Sequence, residues 1–262
     1  MIRALYTAAS GMSAQQANLD TVANNLANSG TTGFRARRMQ FEDMIYQNLV
    51  TPGAAASTQT ASAGLQIGLG TKPVATEVIM TQGAFNETDN TLDLAIQGSG
   101  FFPVTMPDGT TAYTRAGSFH LNNQGTVVTP DGNPLVPAIT IPATATAVTI
   151  SQYGVVSATL PGQTAASQLG TIQLATFVNP GGLTAVGSNL FQPTTASGNA
   201  ITDSPGGASG MGTLQQGYLE ASNVDVVQEF VNMITAQRAY ESNSKVVHVA
   251  DDMYSQINNM VR

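Results

Sequence analysis

The chain has 262 residues, 42% of them apolar, enough for a sizeable core; only 10% are charged, so its polar surface is Thr, Ser, Asn, Gln and Gly. A net charge of −7 leaves no basic footprint for nucleic acid, and zero cysteines exclude disulfides, thiolate metal sites and a cysteine nucleophile. No window approaches the ~18 consecutive apolar residues of a membrane span, and Thr7, Ser10, Ser13, Gln15 and Gln16 break up the apolar run that a cleavable leader needs.

From the N-terminus, Ile2, Leu5, Ala9, Met12, Leu19, Ala23 and Leu26 recur in steps of three and four, with Gln16 the polar member of the series. This predicts a helix over residues 2–28 with a narrow coiled-coil stripe, closed by a left-handed Gly30. Asn24, Asn25 and Asn28 either fix register in that stripe or end the helix. Residues 31–45 carry Gly33, Phe34, the basic run Arg35, Arg37 and Arg38, and the apolar Met39, Phe41, Met44 and Ile45. They read as a second short helix or an extended arm, with the arginines meeting a neighbour's carboxylates or lying in a solvated turn. Residues 52–63 are rich in Ala, Ser, Thr and Gln, a low-complexity loop expected to be ordered by a neighbour.

The middle of the chain changes to short strands at 74–80, 92–96, 101–106, 112–115, 118–121 and 126–129, then 138–141, 147–150, 155–158 and 170–177. Asp108-Gly109 is the clearest hairpin signal. The spacing predicts a β-sandwich or barrel-like domain of antiparallel strands. Gly, Ser and Asn over residues 197–212 read as a linker, and Ser222 with Asp225 as a capping box opening a C-terminal helix that runs nearly to residue 262. Its apolar row is Val227, Phe230, Val231 and Ile234, then Val246, Val249, Met253, Ile257 and Met260.

The predicted class is α+β, with a discontinuous helical domain of residues 1–30 and 222–262, a connecting arm over 31–72, a β-domain over 73–196 and a return linker over 197–221. Short amphipathic helices are marginal alone, so ordering of the two ends and self-assembly are expected to be one event. The residues assigned to that assembly seam are Leu5, Met12, Leu19, Leu26, Val227, Phe230, Ile234, Val249, Met253 and Ile257.

Signals for chemistry are weak. His248, Asp251 and Asp252 share a helix face but make two or three metal ligands without a fourth, and His120 reads as a packing or surface residue. Gly68-Leu69-Gly70-Thr71-Lys72 lacks the order of a phosphate loop, and Gly98-Ser99-Gly100 lacks a third spaced glycine. Glu87, Asp89 and Asp93 contain the carboxylates a glycosidase uses, but Asp89-Asn90 reads as a turn. No catalytic, cofactor or metal residue is assigned.

The segment Ala23-Asn24-Asn25-Leu26-Ala27-Asn28 followed by Thr31-Thr32-Gly33-Phe34-Arg35 resembles the N-terminal signature of the rod and hook family of bacterial flagellar axial proteins. Ser222-Asn223-Val224-Asp225, Gln237-Arg238-Ala239-Tyr240-Glu241 and Ser244-Lys245 resemble its C-terminal signature. Ile96 to Phe102, with Gly98, Gly100 and Phe101, and the run Tyr113 to Phe119, with Arg115 and Gly117, resemble its β-domain segments. The start Met1-Ile2-Arg3-Ala4-Leu5, the segment 52–68 and the length resemble the distal-rod branch. The resemblance implies a structural homopolymer without enzymatic activity or cofactor: a rigid hollow tube in the periplasm that serves as drive shaft and export conduit. It further implies joining of proximal-rod to hook proteins, surrounding P-ring and L-ring bushings, delivery by the flagellar type III export apparatus, and no membrane insertion. The rival readings are a hook or proximal-rod subunit, a secreted β-rich adhesin, and a cell-wall hydrolase.

Overall fold

A computed structural model describes residues 2–50, 55–56, 59–60, 64–162, 165–207 and 209–260. It is α+β: an N-terminal helix α1 (Ile2–Ala27), a C-terminal helix α2 (Val226–Met260), and antiparallel strands between them. Contacts divide the chain into one unit of Met1–Ala27, Arg37–Val78 and Asp225–Arg262, and another of Asn28–Ala36 and Ile79–Val224. Most of the expected connecting arm therefore groups with the helices, while residues 28–36 and the expected return linker group with the β-unit.

In the first unit, 26 and 35 residues give helices of about 39 and 52 Å. They run antiparallel: Asn25 reaches Glu229 at 3.2 Å, and Gly11 faces Asn243. The line of contact is Ala8, Ala14, Val22 and Asn25 against Ala236 and Ala250, all buried, with Gly11, Ala239, Asn243 and Val247 half-buried between them. It is a different stripe from the expected one. Leu5, Met12, Leu19 and Leu26 lie half-buried on its flank, while Ala9 and Ala23 are exposed. Two helices approach closest where side chains are smallest, so the small residues take the seam and the large ones are left outside it. Both ends are helical and paired within this single chain. Each helix finds in the other end of the chain the partner that it lacks locally.

The helix ends also differ from expectation. Gly30 does not adopt the left-handed conformation; Gly33 does, at φ +69°. At α2 the cap is Asp225 itself, whose Oδ1 accepts hydrogen bonds from the amides of Val227 at 3.0 Å and Gln228 at 3.2 Å.

The remainder of this unit is a two-stranded ribbon. Arg37–Asp43 pairs with Thr71–Val78, Tyr46–Val50 with Leu65–Gly68, and Ala55–Ala56 with Gln59–Thr60. Residues 31–45 thus contribute an extended arm, and the loop over 52–63 contains one short strand pair. The parts of that loop at 51–54, 57–58 and 61–63 lie outside the described residues.

The β-unit is built from several small antiparallel sheets, not from the two large facing sheets of a sandwich. The largest orders Thr184–Gly187, Leu190–Gln192, Thr111–Thr114 and Phe102–Thr105, the last two joined by the Asp108-Gly109 hairpin. Leu94, Ile96, Phe102, Phe119, Leu135, Ile172 and Leu174 form the main core; Phe101, Tyr113, Phe177 and Phe191 form a second cluster with edge-to-face ring pairs 4.9–6.0 Å apart. The expected return linker carries three strands: Ile201–Asp203 on Leu174–Thr176, Thr213–Gln216 on Leu94–Gln97, and Tyr218–Glu220 on Phe85–Glu87. Its glycines mask an alternation of Leu214, Leu219 and polar neighbours that the pairing strands use. The expected strand over 138–141 makes a single bridge, Thr126 to Thr140.

Candidate assembly surface and buried motif junction

Most of the motif-like residues of the β-unit converge on one side chain, Glu220. Its carboxylate is buried and accepts hydrogen bonds from Arg35 Nη2 at 2.8 Å, Arg115 Nε at 2.7 Å and the Gly83 amide at 2.9 Å. Arg115 also donates to the carbonyls of Ile96, Gly98 and Gly100, so one guanidinium holds the whole loop on which Ser99 sits. Burial pushes Arg115 below its ordinary pKa, and the adjacent Glu220 carboxylate pushes it back up. Two glycines make the close approach possible. A Cβ on Gly117 would lie 1.6 Å from the Leu94 carbonyl oxygen, and one on Gly33 would lie 2.6 Å from the Ala116 nitrogen. Asn223 fastens the same region: its Oδ1 accepts from the Ala36 amide at 2.7 Å, and its Nδ2 donates to the carbonyls of Ile79 at 2.9 Å and Thr81 at 3.0 Å.

In the helical unit Asn25 hydrogen-bonds across the helix pair to Glu229, as a register-fixing amide would, and it has a second role. Its amide exchanges two hydrogen bonds with the Arg37 backbone, at 2.8 and 2.9 Å, and so docks the first ribbon strand on the helix pair. The basic run divides. Arg35 is buried against Glu220 of its own chain, whereas Arg38 makes an exposed pair with Glu77 at 2.8 Å that holds the Glu77 carboxyl below its usual range.

The assigned seam residues on α2 are all exposed: Val227, Phe230, Ile234, Val249, Met253 and Ile257, together with Val231, Val246 and Met260. The antiparallel register brings the start of α1 level with about residue 252, so the last two turns of α2, with Met253, Ile257 and Met260, run past it. Gln237, Arg238 and Tyr240 of the C-terminal motif lie exposed on the same helix. The ribbon adds Phe41, Ile45, Tyr46, Leu49, Val50, Leu65 and Val74, also exposed. So many large apolar side chains on α2 and the ribbon form a surface far richer than scattered exposed hydrophobics.

The groups considered for chemistry sit elsewhere. Asp93 is buried and accepts from Thr88 Oγ1 and Asn90 Nδ2, a turn fastening; His248, Asp251 and Asp252 are exposed on α2. Among the described residues, no group of three or more His, Cys, Asp or Glu is placed to hold a metal ion. Glu220 was missed by sequence reasoning, being 185 residues from Arg35 and 105 from Arg115. The available signal was scarcity: of the 9 Lys and Arg in the chain, only Arg35 and Arg115 stand in the motif-like segments of the β-unit.

Fold and surface together define a structural subunit. Residues 5–35 match the family described as "Flagella basal body rod protein", 95–158 the "Flagellar hook protein FlgE/F/G D1 domain", and 215–260 the "Flagellar basal body rod FlgEFG protein C-terminal". The chain is 50% identical over 254 residues to the flagellar basal-body rod protein FlgG of Caulobacter vibrioides, covering 96% of this chain and 97% of that one. It is 47% identical over 261 residues to the protein of that name from Buchnera aphidicola of Acyrthosiphon pisum (99% and 100% covered), and 40% over 266 to that of Bacillus subtilis (100% of each). The chain belongs to the family of flagellar basal-body rod proteins, which are structural subunits of the flagellar basal body. Each matched segment supplies one member of the buried junction: Arg35, Arg115 and Glu220.

Proposed function

We propose that this chain is the repeating subunit of the distal rod, a homopolymer in the periplasm that joins the proximal rod to the hook. Copies stack into a straight hollow tube, with α1 and α2 forming the inner wall. The tube transmits torque and conducts exported subunits, turns within the P-ring and L-ring bushings, and grows from chains delivered by the type III export apparatus. Its work is mechanical and not catalytic. The observation that carries this reading is the row of exposed large side chains on α2. Burying each contributes about 1.5–3 kcal/mol, and a neighbour's helices are the natural cover. The test is Phe230→Asp: because Phe230 is 48% exposed, the dilute chain should keep its helix content by circular dichroism, while electron microscopy at raised concentration shows no tubes. Tubes of normal length from that variant would remove Phe230 from the seam.

The segment over residues 46–64 is assigned to packing between neighbouring subunits, where it stiffens the tube. Its exposed apolar rows at Tyr46, Leu49, Val50 and Leu65 support this, since a lone two-stranded ribbon is marginal in water. Deleting it should leave flexible tubes, read as a shorter persistence length in micrographs; unchanged stiffness would refute the assignment.

A further inference from the structure

The buried junction contains two guanidinium groups and one carboxylate, a net charge of +1 with all three side chains at least 94% inaccessible. Glu220 spends both oxygens on Arg35, Arg115 and the Gly83 amide, and Arg115 spends its remaining donors on three carbonyls. Arg35 is left incomplete: its Nη1 is buried and meets no acceptor among the described residues. A buried charge without compensation is costly, and a guanidinium donor without an acceptor adds to that cost. Arg35 and Arg115 line a cleft of about 330 Å³, closed by Met80, Phe101, Phe177 and Pro180, with Ser99 exposed at its edge.

We propose that this cleft is a carboxylate-binding site in which Arg35 Nη1 donates to the bound oxygen. The charge surplus is one, which a carboxylate neutralises and a phosphate dianion would overshoot. The two N–H bonds of this one Nη1 group can serve a carboxylate but leave most of a phosphate's oxygens without partners. The walls of Met80, Phe101, Phe177 and Pro180 suit the methylene stem of a carboxylic acid. Two sources carry this chemistry, an Asp or Glu side chain of a neighbouring copy and a small free acid.

The test uses the dilute full chain and two proteins, wild type and Ser99→Glu, the latter placing a carboxylate at the edge of the cleft while keeping Arg35, Arg115 and Glu220. Melting temperature is followed in sodium acetate and in sodium chloride at matched ionic strength. In wild type, acetate up to 100 mM should raise Tm by about 3 °C more than chloride, with saturation. Ser99→Glu should melt higher than wild type in chloride and lose most of the acetate response. Acetate's general stabilising effect is common to both proteins, so their difference is the readout. Equal acetate responses in the two proteins, or no response in either, overturns the site. The second arm measures the critical concentration for self-association of wild type. A severalfold rise specific to acetate assigns the site to a neighbour's side chain; a critical concentration that depends on ionic strength alone overturns that source and leaves the free acid.

Discussion

Glu220 shows how much one side chain can organise. Removing one partner of a buried ion pair costs far more than the pair contributes, because the remaining charge stays buried without compensation. Glu220→Gln leaves two buried guanidiniums facing a neutral amide and should destabilise the β-unit by about 3–5 kcal/mol. Urea unfolding of the dilute chain, followed by near-ultraviolet circular dichroism of its tyrosines, measures this. The glycines allow a sharper comparison. Gly109 has φ +82° with open space around it, so Gly109→Ala costs only the left-handed strain, about 1–2 kcal/mol. At Gly117 a Cβ meets the Leu94 carbonyl at 1.6 Å, so Gly117→Ala must displace backbone and should cost at least twice as much in the same urea series.

The same distinction between filled and open space governs the helices. The α1–α2 seam is lined with alanines that leave no room for larger residues: Ala14 is 1% exposed and Ala236 2%. Ala236→Leu overpacks it and should cost about 1–3 kcal/mol, read as a lower thermal midpoint of the helical signal at 222 nm. Asp225→Ala removes the cap of α2 and should cost about 1 kcal/mol by the same measurement. Phe230→Asp, on the outer row, should leave this signal unchanged. The two faces of one helix thus differ: small residues pair it within the chain, and large ones are exposed.

Across the whole molecule, stability is divided unevenly. The strands Leu94–Gln97 and Phe102–Thr105 carry fully buried residues of the main core, whereas the ribbon exposes nearly every side chain from residue 40 to 50. Regions with few buried apolar contacts open most readily. Amide exchange in the dilute chain should therefore be fast over residues 40–50 and 65–76 and slow over the core strands. Assembly should slow the ribbon and leave the core strands as they were. Equal ribbon exchange in the free and assembled protein would place the ribbon outside the subunit interface.

Much of this protein is legible in its sequence. The step of three and four at both ends, the turn residues between Gly83 and Asn123, and the absence of any dense group of potential ligands establish two helices, a β-rich middle and the class α+β. Those are local signals, set by the period of the backbone and the preferences of glycine, proline and asparagine. The long-range partners were decided only by tertiary structure. Which helix row faces the other helix depends on side-chain size opposite it, so Ala14 and Ala236 are buried there while Leu19 is half-buried and Ile234 exposed. Strand partners can lie far apart in the chain, as Leu214 of the expected linker does from Ile96. The meeting of Arg35, Arg115 and Glu220 depends on the path of the chain between them, and no local periodicity encodes which distant charge an arginine will meet.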